Sequence, residues 1–298
     1  MKFALSQASR IGGRPDNEDR MGYWSMPESL LLAVADGLGG HMHGEVAAQI
    51  AIELFGAAFQ REARPRLADP AAFLSRSIAA AHAAILREGE RLGLPETPRT
   101  VIVACVVQDG HAWWVHVGDC RLYHIRGARI LTRTRDHTVV QQLIDEGRIR
   151  EEAVASHPER NRLLQCLGGY LDPMQQPAER ARLALGDVLL LCSDGFWGPL
   201  TQRHVVHALL SRSLEVAIPE LARLAESRGG PICDNITAIA INWGEEEVEE
   251  LAAGPADVRT DVQDLTATDL DYQRMSDEDI DKAIEELREA LRRSQGSQ

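Results

Sequence analysis

Apolar residues along this chain recur with two different periods, and these periods predict two kinds of element. Short apolar runs bounded by Gly, Asp or Asn are typical of strands, whereas apolar residues three and four positions apart are typical of amphipathic helices. The predicted strands are 3–9, 30–35, 100–107, 112–117, 121–125, 129–132, 187–192 and 236–243. The predicted helices are 44–60, 70–92, 139–146, 202–211 and 215–227.

The order of these elements favours a layered α+β domain that ends near Trp243. Strands that follow one another without an intervening helix favour antiparallel sheets. Helices that come in pairs favour layers outside those sheets, with the apolar face of each helix on a sheet. In the helix 44–60 we expect that face to consist of Val46, Ala47, Ile50, Ala51, Leu54 and Phe55.

The composition changes after residue 244, and the change predicts two further segments. Residues 245–275 begin with EEEVEE and hold few large apolar residues, so we expect a solvated, flexible linker. A helix is predicted over 276–293, with an acidic first turn and two Arg residues in its last turn. Because a lone helix has to cover its apolar stripe, we expect it either to dock on its own domain or to bind a partner or a second copy. The stripe is Ile280, Ala283, Ile284, Leu287, Ala290 and Leu291.

The formal net charge of −13 belongs mostly to this C-terminal part. Residues 245–298 hold 17 acidic and 6 basic residues, whereas residues 1–244 hold 28 acidic and 26 basic ones. A nearly neutral body with an acidic tail argues against nucleic-acid binding.

Apolar runs and cysteines bear on the compartment. No apolar run approaches the roughly 18 residues of a membrane span, and the first 19 residues lack the apolar core of a signal peptide. We therefore expect neither a membrane contact nor secretion. The cysteines are odd in number and show no CxxC spacing, which is typical of free thiols in a reducing compartment and predicts a cytoplasmic protein. They are Cys105, Cys120, Cys166, Cys192 and Cys233.

Four aspartates stand beside apolar, strand-like runs, each at a predicted turn. They are Asp36 in VADGLGGH, Asp119 in HVGDCR, Asp194 in LLLCSDGF and Asp234 in ICDNITAI, and we expect each to end its strand. A carboxylate at the mouth of a buried strand is costly unless a cation meets it. Four converging carboxylates offer oxygen ligands only, which favour magnesium or manganese over zinc. The pattern predicts a binuclear metal centre.

An arginine in the segment GRPDNED suggests what such a centre would act on. Arg14 precedes the acids Asp16, Glu18 and Asp19. Its planar guanidinium matches the geometry of a phosphoryl group and keeps its charge when partly desolvated. An Arg that faces a carboxylate-bound metal pair is suited to hydrolysis of a phosphate monoester.

Six motifs in a fixed order carry a resemblance to a known family. They are GRPDNED, VADGLGGHMHGE, VGDCR, a long segment from LTRTRDHTVV through HPERN to LLQCLGG, CSDGFWG and DNIT. In this order they resemble the metal-dependent protein phosphatases of protein phosphatase 2C type, and within that family the short bacterial Ser/Thr phosphatases. The resemblance implies that residues 1–244 are a catalytic domain. The implied fold is a four-layer α-β-β-α sandwich with two central antiparallel sheets, followed here by a C-terminal extension.

The resemblance also implies a role for each acid. Asp36 matches the residue that bridges two metal ions, and the carbonyl of Gly37 matches a ligand of one of them. Glu18 resembles a further ligand of that ion, and Asp19 matches a residue that acts through metal-bound water.

The second ion and the substrate have their own matching residues. Asp194 and Asp234 resemble ligands of the second metal ion, and Arg14 matches the phosphate-binding arginine. Asp119 matches the acid that, with Asp194, can hold a weaker third ion. On this resemblance Arg14, Asp36 and Asp194 are the predicted catalytic residues.

The implied activity is that of a protein serine/threonine phosphatase with two tightly bound Mn²⁺ or Mg²⁺ ions. In the family, a water that bridges the two ions attacks phosphorus directly. The expected partners are phosphoprotein substrates and a Ser/Thr kinase that the enzyme opposes. The segment 146–161 resembles the mobile flap beside the substrate cleft. An alternative from a different class is a regulatory module that binds phosphoproteins with little catalysis.

The chain departs from the family pattern at a few places. Eukaryotic members have a His two residues after the bridging Asp, a candidate general acid, and this chain has Leu38 there. His41 and His43 lie nearby, and we favour a structural role for both. Where the family usually has Gly-Thr-Thr, residues 98–100 of this chain are Pro-Arg-Thr, and Cys120 stands where Ser is usual. The leaving-group acid is therefore open.

Overall fold

Two five-stranded sheets form the centre of the protein in a computed structural model that describes residues 1–39, 43–173 and 177–244. The first sheet contains, in spatial order, β1 (Phe3–Arg10), β10 (Ile236–Trp243), β9 (Val188–Cys192), β6 (Arg121–Arg126) and β7 (Arg129–Arg133). The second contains β2 (Arg20–Ser25), β3 (Ser29–Gly37), β4 (Thr100–Gln108), β5 (His111–Val117) and β8 (Glu179–Arg182). All pairings of neighbouring strands are antiparallel.

Helices cover the outer face of each sheet. Helices α1 (Gly44–Glu62) and α2 (Pro70–Leu92) pack on the second sheet. After β7 come α3 (Val139–Asp145) and a 3₁₀ helix (Glu151–Ser156) within the segment predicted as a flap. The first sheet is covered by α4 (Asp194–Trp197), α5 (Gln202–Ser211) and α6 (Leu214–Gly229). The predicted four-layer α-β-β-α sandwich is confirmed.

Three apolar layers hold this arrangement together. Residues such as Leu32, Val103 and Ile239 are fully buried between the two sheets. Outside the second sheet, Phe73 of α2 packs edge-on against Phe59 of α1 with ring centroids 6.0 Å apart. Fully burying one large apolar side chain contributes roughly 1.5–3 kcal/mol, so these layers dominate the stability of the fold.

The buried face of α1 is rotated from the predicted one. Val46, Ile50 and Leu54 are only half-buried, whereas Ile52 and Phe59 are buried. The helix contacts both the sheet and α2, so its buried face is wider than a single stripe and its centre is shifted.

Two strands and one α-helix were missed by the sequence patterns, as were two short 3₁₀ helices, Glu151–Ser156 and Gly230–Ile232. In β2 a Gly and a flanking Arg interrupt the apolar run. The strand β8 has the sequence ERAR and lies at a sheet edge, where charged side chains are common. Helix α4 is a single turn of four residues, too short to show a helical period.

Antiparallel pairing brings the aspartate-bearing turns to one edge of the sandwich. Asp36 is the next-to-last residue of β3, Asp119 follows β5 and Asp194 follows β9. Asp234 precedes β10, so the prediction that each aspartate ends a strand is wrong for this residue. Because β9 and β10 are antiparallel neighbours, the start of β10 lies beside the end of β9, and Asp234 reaches the same edge.

Three predictions fall on residues outside the described part of the chain. They concern the linker 245–275, the helix 276–293 and the role of His41. Within 1–39, 43–173 and 177–244, no helix is both long enough and apolar enough to span a membrane.

Candidate metal centre

The end of β3 places Asp36 and Gly37 beside the N-terminal segment. The hydroxyl of Thr100 donates to the carbonyl oxygen of Asp36 at 2.7 Å, and the amide of Gly37 donates to the carbonyl of Glu18 at 3.2 Å. A Cβ on Gly37 would lie 2.4 Å from the carbonyl carbon of Gly44. Only glycine permits this approach of the turn to the start of α1.

Asp19 is buried at the centre of the site. Its side chain is fully enclosed, and its Oδ2 accepts a 2.7 Å hydrogen bond from the hydroxyl of Ser193. Burial raises the pKa of Asp19 to about 7, against the opposing effect of hydrogen bonds from Ser193 and Thr237. Its other oxygen, Oδ1, is buried without a hydrogen-bond partner.

Asp36 and Asp194 face each other across this centre. Burial raises the pKa of Asp36 well above its ordinary value, and the negative charge of Asp19 adds to that effect. Burial also raises the pKa of Asp194 to about 6, and a hydrogen bond with Asp36 partly offsets the shift. Two carboxyl groups can share a hydrogen bond only if one of them is protonated. The Oδ1 atom of Asp194 is buried without a partner.

Asp119 belongs to the same electrostatic cluster. It is 9% exposed, and burial together with the charge of Asp194 raises its pKa well above the ordinary value. The pKa values of Asp19, Asp36, Asp119 and Asp194 are all raised in this way, and the negative charge of Asp234, the fifth acid of the cluster, adds to the shifts of Asp19, Asp36 and Asp194. Sequence reasoning selected all five, and the structure brings them together.

Arg14, Glu18 and Asp234 lie at the rim of the cluster. The Nη2 of Arg14 donates to Oδ2 of Asp234 at 2.7 Å, and both side chains are nearly half exposed. The pKa of Glu18 is raised by burial first and by the charge of Glu45 second. The buried side chain of Asn235 holds the backbone here, because its Oδ1 accepts from the amide of Glu18 at 2.8 Å.

The donor set fits hard divalent cations. All side-chain donors are carboxylate oxygens, and the two buried oxygens without partners belong to Asp19 and Asp194. In the described ranges, no three His, Cys, Asp or Glu side chains stand in a ready-made coordination geometry. Carboxylates that face one another repel, so a bound cation has to draw them together. Mg²⁺ or Mn²⁺ would both neutralise the cluster and satisfy the two oxygens.

The departures from the family pattern have a structural setting. Leu38 packs against the core between the sheets, and its amide donates to the carbonyl of Arg99 at 3.0 Å. Cys120 is fully buried, and burial with the charge of Asp36 raises the pKa of its thiol. All five cysteines are free. His43 stands 3.4 Å from a carboxylate oxygen of Glu45, before the first turn of α1.

Sequence reasoning missed the residues that support the acids. Ser193 and Asn235 each stand next to a predicted metal ligand, inside the motifs CSDGFWG and DNIT. Ser193 also accepts from the amide of Thr237 through its hydroxyl oxygen at 3.0 Å, which ties the ends of β9 and β10 together. A small polar residue beside each acid was the available signal.

The model of one family, described as protein phosphatase 2C, matches residues 7–226. The chain belongs to the protein phosphatase 2C family. The resemblance in the sequence motifs is thus confirmed, together with the fold that it implied.

Similar proteins are bacterial phosphatases. The chain is 33% identical over 244 residues to the serine/threonine protein phosphatase PstP of Mycobacterium tuberculosis. The matched region covers 81% of this chain and 45% of PstP. A crystal structure of the M. tuberculosis phosphatase has a TM-score of 0.71 at 32% identity, over 81% of this chain and 99% of that one. A second structure, the PstP catalytic domain in complex with two manganese ions, has a TM-score of 0.68 at 31% identity, over 81% and 98%. The chain thus spans about 45% of the length of the curated relative PstP.

Proposed function

We propose that this chain is a protein serine/threonine phosphatase that hydrolyses phosphoserine and phosphothreonine at a centre of two Mn²⁺ or Mg²⁺ ions. The observation that carries the proposal is the convergence of five buried or half-buried aspartates, with the exposed Arg14 at their rim. Two features of the relatives support it: the name of PstP, and the two manganese ions in the structure of its catalytic domain.

In this proposal the residues around the turn after β3 hold the first ion. Asp36 would contribute to holding both ions, and the carbonyl of Gly37 and the carboxylate of Glu18 would be the other protein ligands of the first. Asp19 would act through a water molecule, which agrees with its complete burial and its hydrogen bond from Ser193.

The second ion is assigned to Asp194 and Asp234. Asp119 stands close enough to Asp194 to raise its own pKa through that charge, so this pair is the place for a weaker third ion. Arg14 binds the phosphoryl group: a guanidinium has five N–H donors, and the bond to Asp234 engages one of them.

When bound, the ions would supply electrophilic activation of water and neutralise charge on the phosphoryl oxygens. Arg14 orients the phosphate by a charge-assisted, geometrically specific contact. We propose that water attacks phosphorus directly, with no phospho-enzyme. The hydroxyl of Ser193 and the thiol of Cys120 lie in this region, but both are fully buried and out of reach of a protein substrate. Leu38 cannot supply a proton to the leaving group.

The biological setting follows from the reaction. A phosphatase of this kind opposes a Ser/Thr kinase, and we propose such a kinase and its targets as partners. Five free cysteines support a cytoplasmic location. Residues 1–244 form the proposed catalytic domain, 245–275 a linker, and 276–293 a helix that docks on the domain or on another protein.

Turnover that requires a metal ion is the first expected result. The purified full chain with MnCl₂ is expected to hydrolyse p-nitrophenyl phosphate and a phosphothreonine peptide. Treatment with EDTA followed by gel filtration is expected to abolish both activities, because no ion then activates water, and added Mn²⁺ is expected to restore them. The measurement is the release of nitrophenol and of inorganic phosphate.

A different result would favour the binding module. If the Mn²⁺-loaded chain binds the phosphopeptide but releases no phosphate from either substrate, the chain is not a phosphatase. Turnover that persists in EDTA would contradict the metal assignment.

A further inference from the structure

Arg121, at the start of β6, is held by a bidentate ion pair. Its Nε and Nη2 donate to the two carboxylate oxygens of Asp136 at 2.8 and 2.7 Å, and the side chains are only 12% and 8% exposed. A third nitrogen, Nη1, donates to the hydroxyl of Tyr123 at 3.1 Å. Both charges are largely removed from water. This desolvation is costly unless good geometry and further hydrogen bonds offset it.

The flat face of the same guanidinium lies on Trp197. The guanidinium carbon stands 3.3 Å from the centroid of the ring, a close cation–π contact. The indole Nε1 of Trp197 donates to the backbone carbonyl of Asp119 at 3.0 Å. Trp197 is the last residue of α4, the helix that Asp194 begins. One side chain thus joins the turn that carries Asp119 to the helix that carries Asp194.

His137 fixes the other side of that turn. Its amide donates to the carbonyl of Gly118 at 2.9 Å, and its Nδ1 accepts from the amide of Gly118 at 3.2 Å. Gly118 has a φ of +101°, and a Cβ there would lie 2.1 Å from Val101. The turn is therefore clamped from both sides by neighbouring residues of one motif, Asp136 and His137.

This clamp opposes an electrostatic strain. Asp119 is buried, and Asp119 and Asp194 are both carboxyl groups, which repel each other when both are ionised. A loosely held turn would relieve the repulsion by moving Asp119 away. The turn is bonded to α4 through Trp197, with Trp197 held by Arg121 and Arg121 by Asp136, so the backbone positions of Asp119 and Asp194 are fixed relative to each other.

We propose that Arg121, Asp136 and Trp197 form a positioning cluster that sets the distance between Asp119 and Asp194 and so determines the affinity of the weakest cation site. The inference rests on the proposed function. The three residues act through Asp119 and do not touch the substrate. Residues behind metal ligands change metal affinity by about 10–100-fold when they are replaced.

Mn²⁺ titration of EDTA-treated protein, followed by calorimetry, tests the cluster. Trp197→Phe removes the indole N–H and keeps a ring under Arg121, and Asp136→Asn removes the charge that holds the guanidinium. Both variants are expected to weaken the last Mn²⁺ to bind by about tenfold or more and to raise the Mn²⁺ concentration for half-maximal activity to match. The tighter Mn²⁺ sites and the KM for p-nitrophenyl phosphate are expected to stay within about twofold of the wild type.

The same strand offers a matched control. Arg126, at the far end of β6, makes an equally short bidentate pair with buried Asp187, at 2.7 and 2.8 Å. Arg126→Lys is expected to lower the melting temperature without changing the Mn²⁺ isotherm. If Trp197→Phe and Asp136→Asn behave like this control, the positioning role is overturned and the proposed function stands. If the wild type itself binds no Mn²⁺, the proposed function fails together with the inference.

Discussion

Asp36→Asn is expected to lower kcat for p-nitrophenyl phosphate by roughly 10³-fold in the presence of Mn²⁺. Asp36 is the proposed bridge between both ions, and the amide of Asn binds a hard cation more weakly than a carboxylate does. Electrophilic stabilisation by a metal pair is worth several kcal/mol, and each loss of about 1.4 kcal/mol in the barrier is a factor of ten. Asp194→Asn is expected to have a comparable effect.

The same variants are expected to be more stable than the wild type when EDTA is present. Asp36 and Asp194 are penalised by burial and by neighbouring negative charge, and both pKa values are raised. A neutral amide of similar size removes that penalty. In Mn²⁺ the order is expected to reverse, because the wild type gains the binding energy of the ions and the variants gain less.

A variant that loses activity in Mn²⁺ but gains stability in EDTA identifies its residue as a metal ligand, whereas replacement of a structural residue lowers the stability in EDTA. Asp109→Asn, at an exposed residue paired with Arg66, is the neutral control and is expected to change neither quantity. Thermal melts with and without Mn²⁺, together with initial rates, provide both readouts. If Asp36→Asn lowers the melting temperature in EDTA and keeps its activity, Asp36 is a structural turn residue.

The second large effect is a pH dependence of stability in the presence of EDTA. The pKa values of Asp19 and Asp194 are raised to about 7 and about 6, and those of Asp36 and Asp119 are raised well above the ordinary value. An unfolded Asp titrates near pH 4. Between these limits the folded state binds more protons than the unfolded state, so stability falls as pH rises.

The window from pH 6 to pH 8 shows this effect best. Burial lowers the pKa of His137 to about 4 and also lowers that of His116. Both residues therefore destabilise the folded protein as the pH falls below about 6.5, where an unfolded His becomes protonated. Above that pH the contribution of the two histidines to the free energy of unfolding no longer changes much with pH, so the carboxylates determine how steeply that free energy falls. We expect the free energy of unfolding in EDTA to drop by several kcal/mol across the window.

Mn²⁺ is expected to change this pH dependence. Ligating carboxylates have to be deprotonated, so the affinity for Mn²⁺ rises with pH. The gap between the melting temperatures with Mn²⁺ and with EDTA is therefore expected to widen from pH 6 to pH 8, by roughly 10 °C if several kcal/mol are involved. Contributions from residues remote from the ions cancel in that gap. A constant gap, with a flat melting temperature in EDTA, would contradict the assignment of the acids.

Much of the fold could be predicted because its central strands, such as β3, β4 and β9, are apolar at nearly every position. Runs such as 30–35 and 100–107 are buried on both faces, so they show strand length and apolar character without ambiguity. The elements that were missed have no such signal. The strand β8 is mostly charged, and it forms because its backbone pairs with β5 at the sheet edge.

Other differences between prediction and structure arise from tertiary contacts. The buried face of α1 is set by packing on both a sheet and α2, which the period of one helix does not reveal. The place of Asp234 likewise depends on pairing: the sequence shows that an apolar run follows this acid, but only the antiparallel pairing of β10 with β9 brings Asp234 to the edge at which Asp194 lies.

The acids of the site could be predicted, whereas their supports could not. An Asp beside an apolar run is visible because its charge is costly in that place. The sequence gives no comparable signal for Trp197 and Arg121, since aromatic residues and Arg are common in helices and strands. Their connection to Asp119 depends on a backbone carbonyl and on the stacking of two side chains, 76 positions apart in the sequence.

Anomalous diffraction from crystals grown with MnCl₂ tests the proposed centre most directly. Data collected at the manganese absorption edge are expected to show two strong peaks at the carboxylate edge of the sandwich, with Asp36 in contact with both. One peak is expected beside Glu18 and the carbonyl of Gly37, and the other beside Asp194 and Asp234. Peaks held by other residues, or no peak at this edge in a crystal that contains Mn²⁺, would contradict the assignment of this chain as a two-metal phosphatase.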